Sequence, residues 1–136
     1  MLSVVYLGLM SDLEDYNRIT DRIIGAAIEV HRHLGPGLLV GTYRQCLAHE
    51  MALRGLQFHY RVVLPVYYKD LRITRGYRVD FLVESAILVQ VKTFTVFLPI
   101  HEAEILAYLR LSHHRVGLIL NFHAPRLKDG IYRYVV

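Results

Sequence analysis

The hydrophobic residues of this chain change their period at Gly55, and that change divides the predicted fold in two. Before Gly55, apolar side chains recur every three or four residues, which is typical of helices that bury one face. After it, apolar and polar side chains alternate along short runs, which is typical of strands. A run of strands followed by a crossover helix predicts an α/β fold, a mixed sheet flanked by helices.

We expect two helices at about 17–34 and 38–54, separated by Gly35-Pro36-Gly37. Proline cannot continue a helix, and glycine tolerates the turn that follows one. A third helix is predicted at about 99–111, because proline is well placed at a first helical position. The predicted strands lie at about 58–64, 66–68, 71–73, 77–83, 86–92, 116–122 and 131–136.

The length of 136 residues and a hydrophobic content of 54% suit one domain with a real core. We assign residues 17–136 to this domain and residues 1–16 to an N-terminal extension, which we expect to be poorly ordered. The apolar stretch in that extension is too short to span a bilayer, and no basic residue precedes it. The single cysteine, Cys46, excludes an intrachain disulfide. We therefore expect a cytoplasmic protein that does not enter a membrane.

The fourth and fifth predicted strands share a pattern that groups their polar side chains. Their odd-numbered positions are apolar, from Val79 to Val91. Side chains of a strand alternate between faces, and a shift of one residue would break the apolar match. If the odd positions face one core, three polar side chains converge on the opposite face. These are Asp80, Gln90 and Lys92.

A carboxylate, an amide and an ammonium group on one sheet face can carry metal-dependent chemistry. A carboxylate binds a hard cation such as Mg2+ or Mn2+ through oxygen, and the metal activates water and neutralises charge on a phosphate. A nearby lysine positions that water or stabilises the transition state. The alternative, which spacing alone favours, is an ordinary cross-strand ion pair between Asp80 and Lys92.

Longer stretches of the chain share their pattern with a known family. They read IIGAAIEVHRHLGPGLL at 23–39, GYRVDFLVESAILVQVK at 76–92 and PIHEAEILAYLRLSHHRVGLILNF at 99–122, followed by LKDGI at 127–131. Together they resemble the GxxExxY family of small bacterial proteins, which is grouped with the PD-(D/E)xK nuclease superfamily. The resemblance implies a restriction-endonuclease-like core and divalent-metal-dependent hydrolysis of phosphodiester bonds in nucleic acid.

The chain departs from the acidic pattern of that family. Val40 stands where the name motif expects glutamate, and Gln90 stands where the D…ExK signature expects glutamate. Asp80 and Lys92 match that signature. In the third helix, Glu104 stands where the family has glutamine. An amide offers a carbonyl oxygen without negative charge, so the replacement of glutamate by Gln90 should weaken cation binding.

The pattern and the resemblance together predict the residues of the site. The predicted catalytic residues are Asp80, Gln90 and Lys92. The predicted ligands of Mg2+ or Mn2+ are Asp80, Gln90 and Glu104, on the hypothesis that a charge moved from strand to helix. The alternative is that Glu104 is a solvated helix residue. His101 and Arg78 are predicted phosphate contacts, with capping or packing as the alternative for His101.

Three functions stay open at this point. The first is a metal-dependent nuclease. The second, favoured by Val40 and Gln90, is a catalytically inactive nuclease-fold protein that binds nucleic acid or a protein partner. The third is a self-associating domain, a homodimer whose contact would be the tyrosine-rich strands at 64–73. The net charge of +4 permits an anionic partner. We expect Tyr67, Tyr68, Tyr77 and Tyr108 to be sheet and core residues rather than base-stacking platforms.

Overall fold

The computed structural model describes the backbone of residues 4–136 and the side chains of residues 12–136. Its helices are α1 (Val4–Leu34), α2 (Val40–Leu53) and α3 (Pro99–Ser112), with a 3-10 turn at Leu127–Gly130. The strands are β1 (Phe58–Val63), β2 (Val66–Tyr68), β3 (Leu71–Ile73), β4 (Arg78–Val83), β5 (Ile87–Lys92), β6 (Val116–Asn121) and β7 (Ile131–Val135). The predicted order of helices and strands is confirmed.

The first helix begins before its predicted start. We expected it from about Asn17, but α1 begins at Val4, so most of residues 1–16 is helical. The division into an extension at 1–16 and a domain at 17–136 stays a prediction. The first buried residue of the described part of α1 is Thr20. Because the helical period of apolar residues marks only the packed part of a helix, the sequence pattern could not reveal the largely exposed turns at residues 12–19. Residues 1–3 of the predicted extension lie outside the described residues.

The main sheet has five strands in the order β1-β4-β5-β6-β7. β5 and β6 are parallel and are connected through α3, whereas the other neighbouring strands are antiparallel. β2 and β3 form a separate two-stranded hairpin. The sheet is therefore mixed and flanked by helices, as predicted. None of the helices in the described residues is long and apolar enough to cross a membrane.

The sheet separates two hydrophobic clusters. The first cluster joins α1 and α2 to one face of the sheet, through residues such as Ile23, Leu47 and Val89. The second cluster joins α3 to the opposite face, through residues such as Leu109 and Ile119. Three layers result, with the sheet in the middle.

The loop between α1 and α2 is held by the side chain of Tyr43. Its ring stacks on Phe122 with the centroids 4.7 Å apart, and its hydroxyl donates to the carbonyl oxygen of Gly35. The same hydroxyl accepts from the N–H of Leu38 at 3.1 Å. These contacts fix where α2 begins, and so they fix Val40 at the end of the sheet.

Gly130 lies where the chain passes close to the end of β6. A Cβ atom there would lie 2.5 Å from the backbone oxygen of Asn121 and 3.0 Å from the Cβ of Ala124. We therefore expect Gly130→Ala to lower the free energy of unfolding by about 2 kcal/mol, measured by urea denaturation. The control is Gly41→Ala, where a Cβ would meet nothing within 4 Å inside α2. That variant should gain about 0.5–1 kcal/mol. Equal effects of the two substitutions would contradict the prediction.

Candidate functional site

A cleft of about 670 Å3 opens at the end of the sheet where β4 and β5 part. The ladder between these strands runs from Val83↔Ile87 to Phe81↔Val89 and stops there. The first turns of α2 and α3 supply the other walls. All the residues predicted for the site line this cleft: Asp80, Gln90, Lys92, Glu104, His101 and Arg78. The structure brings them together, and their roles stay predictions.

Side chains replace backbone hydrogen bonds at the point where β4 and β5 part. The N–H of Asp80 donates to Oε1 of Gln90 at 2.7 Å, and the N–H of Val91 donates to Oδ2 of Asp80 at 2.8 Å. Both bonds are buried, and an unpaired buried N–H would cost about 1–3 kcal/mol. The oxygen of Gln90 that could have served a cation is therefore engaged by the backbone of β4.

The predicted alternation of faces is wrong at one residue of β4. Phe81 packs in the first cluster, but Val79 packs in the second, although both occupy odd positions. The change of face falls at Asp80, which lies between them. Strict alternation requires a continuous pleat, and the pleat is interrupted where the carboxylate of Asp80 turns to the backbone of β5.

β1 changes face at the matching position. Tyr60 stacks on Phe81 of the first cluster, whereas Val62 packs in the second. Arg61, between them, has a φ of 58° in the left-handed region, which costs a side chain roughly 1–2 kcal/mol. The guanidinium of Arg61 lies in the cleft, with Nη1 3.4 Å from Oδ1 of Asp80.

Arg44 is the second cation at this carboxylate. Its Nε lies 3.1 Å from Oδ1 of Asp80. The angle is not that of a hydrogen bond, and the buried Nε has no hydrogen-bond partner among the described residues. Neither Arg44 nor Arg61 is among the site residues predicted from the sequence. A signal existed for Arg44, which follows Val40 by one helical turn and so shares its face of α2.

Lys92 and Glu104 form a second ion pair, with Nζ 2.9 Å from Oε1. Lys92 is thus paired across the cleft to α3, and the cross-strand pair with Asp80 that spacing favoured is not among the ion pairs of the described residues. Glu104 is only partly exposed and is held in this ion pair. Each carboxylate of the cleft therefore faces at least one cation.

His101 and Tyr108 supply hydrogen-bond donors on the α3 side of the cleft. Nδ1 of His101 accepts from the N–H of Leu98 at 2.9 Å, so the histidine caps α3, and its ring stacks on Phe94 with the centroids 4.3 Å apart. A neutral imidazole that accepts at Nδ1 carries its proton on Nε2. Burial raises the pKa of Tyr108, and Glu104 adds to the rise, so the phenol stays protonated.

The oxygen donors of the cleft do not fit a hard divalent cation in this arrangement. Oδ1 of Asp80 faces two guanidinium groups and Oδ2 accepts a backbone N–H, while Gln90 and Glu104 are engaged as described. Among the residues that the structure describes, no three His, Cys, Asp or Glu side chains are grouped so that they could hold a metal ion. The charge of the lining is instead positive. Its basic residues are Arg44, Arg61, Arg78 and Lys92, against Asp80 and Glu104.

A mixed five-stranded sheet with flanking helices and a polar cleft between its parting central strands defines a nuclease-like α/β domain. A family model of the PD-(D/E)XK nuclease superfamily matches residues 17–134, and the chain belongs to that superfamily. Nucleases of this superfamily generally use divalent metals. No curated protein and no solved structure matches the chain.

Proposed function

We propose that this protein binds the phosphodiester backbone of nucleic acid in its cleft and does so without metal-dependent hydrolysis. The observation that carries the proposal is the environment of Asp80. Its carboxylate lies against the guanidinium groups of Arg44 and Arg61 rather than open to a cation. Two fixed positive charges thus lie beside Asp80, the aspartate of the D…ExK signature. Nucleases of this superfamily generally use a divalent metal.

Guanidinium groups suit this role because their planar donors match the oxygens of a phosphate. Asp80 anchors both arginines and Glu104 anchors Lys92, so the cations are held in place before a ligand arrives. Nε2–H of His101 and the protonated phenol of Tyr108 can add neutral donors. Arg78 extends the positive lining toward β3.

A second candidate function is metal-dependent hydrolysis in a member of the GxxExxY group, favoured by the presence of both carboxylates and Lys92 in one cleft. In that case Asp80, Gln90 and Lys92 would be catalytic, and Asp80, Gln90 and Glu104 would hold Mg2+ or Mn2+. Asp80 would first have to exchange its arginine partners for the cation. The two candidates differ in whether EDTA abolishes function.

The test is fluorescence anisotropy with a short labelled DNA duplex, in EDTA and over a range of salt concentrations. We expect binding that EDTA does not remove and that weakens as salt rises, because phosphate contacts release counterions. Arg61→Gln and Lys92→Gln should each weaken binding about tenfold, since a hydrogen bond to a charged group contributes about 1.5–3 kcal/mol. Arg133→Gln, on the exposed face of β7, is the matched control and should change little.

Two results would overturn the proposal in favour of the second candidate. One is binding that disappears in EDTA and returns with Mn2+. The other is cleavage of the duplex in Mn2+ that Asp80→Asn abolishes.

A further inference from the structure

The hairpin of β2 and β3 exposes aromatic rings beside basic side chains. Tyr67 and Tyr68 are 64% and 62% exposed, and Tyr77, which follows the hairpin, is 45% exposed. The expectation that Tyr67 and Tyr68 are core residues is therefore wrong. They lie on strands, as expected, but on those of the hairpin, which is separate from the main sheet.

Cations lie over both rings of the hairpin. The guanidinium carbon of Arg72 lies 5.7 Å from the ring centroid of Tyr67, and its Nε–H donates to the hydroxyl of Tyr67 at 3.0 Å. Nζ of Lys69 lies 5.3 Å from the ring centroid of Tyr68. A ring that is held by a cation keeps a polarised face and a fixed orientation, and both favour stacking with a base.

The hairpin continues directly into the cleft. Gly76 and Arg78, which follow β3 in the chain, line the cleft wall. Tyr77 contacts Tyr108 edge to face with the centroids 6.4 Å apart, and Tyr108 lines the cleft from α3. The exposed charges of the hairpin and its exit have a positive balance, with Lys69, Arg72, Arg75 and Arg78 against Asp70. A basic and aromatic track therefore runs from the cleft to the tip of the hairpin.

We infer that unpaired bases of a single-stranded nucleic acid stack on the exposed rings of the hairpin, Tyr67 on one of its faces and Tyr68 on the other, while phosphates further along the same strand lie in the cleft. The inference rests on the proposed function, because the cleft holds the backbone. Bases of a duplex are stacked on one another and cannot reach a side-chain ring, whereas every unpaired base offers a face. The expected ligand is thus single-stranded nucleic acid, or a duplex with an unpaired end.

The test compares labelled single-stranded DNA, single-stranded RNA and duplex DNA of the same sequence by anisotropy in EDTA. We expect Tyr67→Ala/Tyr68→Ala to weaken single-strand binding about a hundredfold, at roughly tenfold for each ring. Duplex binding should stay unchanged, which also shows that the variant is folded. Tyr67→Phe/Tyr68→Phe keeps both rings and should keep the affinity of the single strand.

Leu71→Ser is the matched control, because Leu71 is exposed on the same hairpin and pairs with Tyr68 but carries no ring. Unchanged single-strand affinity in the double alanine variant would overturn the inference, as would equal losses for single strand and duplex. If Leu71→Ser dissociates a dimer and lowers affinity like the alanine variant, the hairpin is a contact between copies. If the unaltered protein binds no nucleic acid, the proposed function fails as well. If the protein binds the duplex and only cleft substitutions reduce nucleic-acid binding, the proposed function holds and the inference about the hairpin fails.

Discussion

The variant Val40→Glu/Gln90→Glu is expected to bind Mn2+ more tightly than the unaltered protein by on the order of a hundredfold, because carboxylate charge tunes hard-cation affinity. Gln90→Glu places a carboxylate where the D…ExK signature has one, and Val40→Glu places one where the GxxExxY pattern that the sequence resembles expects it. Val40 lines the cleft and precedes Arg44 by one turn of α2. Isothermal titration calorimetry with Mn2+ measures the gain.

The two substitutions act on different parts of the site. A glutamate at position 40 would form an i,i+4 pair with Arg44 and draw its guanidinium away from Asp80. A glutamate at position 90 keeps the oxygen that accepts from the N–H of Asp80, and it adds a negative charge beside the carboxylate. The repulsion between these neighbouring carboxylates is relieved by a cation, which couples metal binding to folding.

The matched control is Val40→Gln alone, which has the length of the new glutamate without its charge. It should bind Mn2+ no better than the unaltered protein. Nicking of supercoiled DNA in Mn2+ gives a second measurement, expected only for the double glutamate variant. If the unaltered protein binds Mn2+ as tightly as that variant, Arg44 does not keep the cation out, and the metal-free proposal is wrong.

The sequence predicted the layers of the fold and the grouping of polar residues for one physical reason. Burial imposes a period on the chain, of about 3.6 residues in helices and two in strands, and hydrophobic positions record that period. The odd positions of β5 follow the rule throughout, so Gln90 and Lys92 lie at the cleft where the pattern put them. The same rule gives no signal where a helix is exposed, as α1 largely is over residues 12–19, and the predicted start of α1 at about Asn17 was wrong.

Two features of the site could not be predicted from the sequence. One is the interruption of the strand period of two residues, and the other is the contact between segments that are distant in the sequence. The change of face at Asp80 and Arg61 depends on a left-handed residue and on a side chain that bonds to a neighbouring strand. No periodicity records either event. The contact of Arg44 with Asp80 joins α2 to β4 through the packing of two layers. A sequence gives the residues of such a contact but not their distance.

Asp80→Ala is expected to lower the free energy of unfolding by about 3 kcal/mol, because it breaks a buried ion pair and leaves a buried N–H unpaired. Asp80 is 6% exposed. Removing its carboxylate leaves the N–H of Val91 without an acceptor and leaves Arg44 and Arg61 facing each other without a counterion. Urea denaturation measures the loss. Asp129→Ala, at an exposed position, is the control and should stay within about 0.5 kcal/mol. Equal stabilities of the two variants would contradict a structural role for Asp80.

Asp80→Asn separates the two candidate functions by the sign of its effect. The amide can still accept from the N–H of Val91, so the variant isolates the charge of the carboxylate. An active-site carboxylate that binds a metal lowers the free energy of unfolding of the metal-free protein. Neutralising such a carboxylate therefore stabilises the protein. Here the carboxylate is the counterion of two arginines, so its neutralisation should destabilise the fold while strengthening nucleic-acid binding, because both guanidinium groups then face the phosphate unopposed. A more stable Asp80→Asn protein with weaker binding would favour the metal-dependent enzyme.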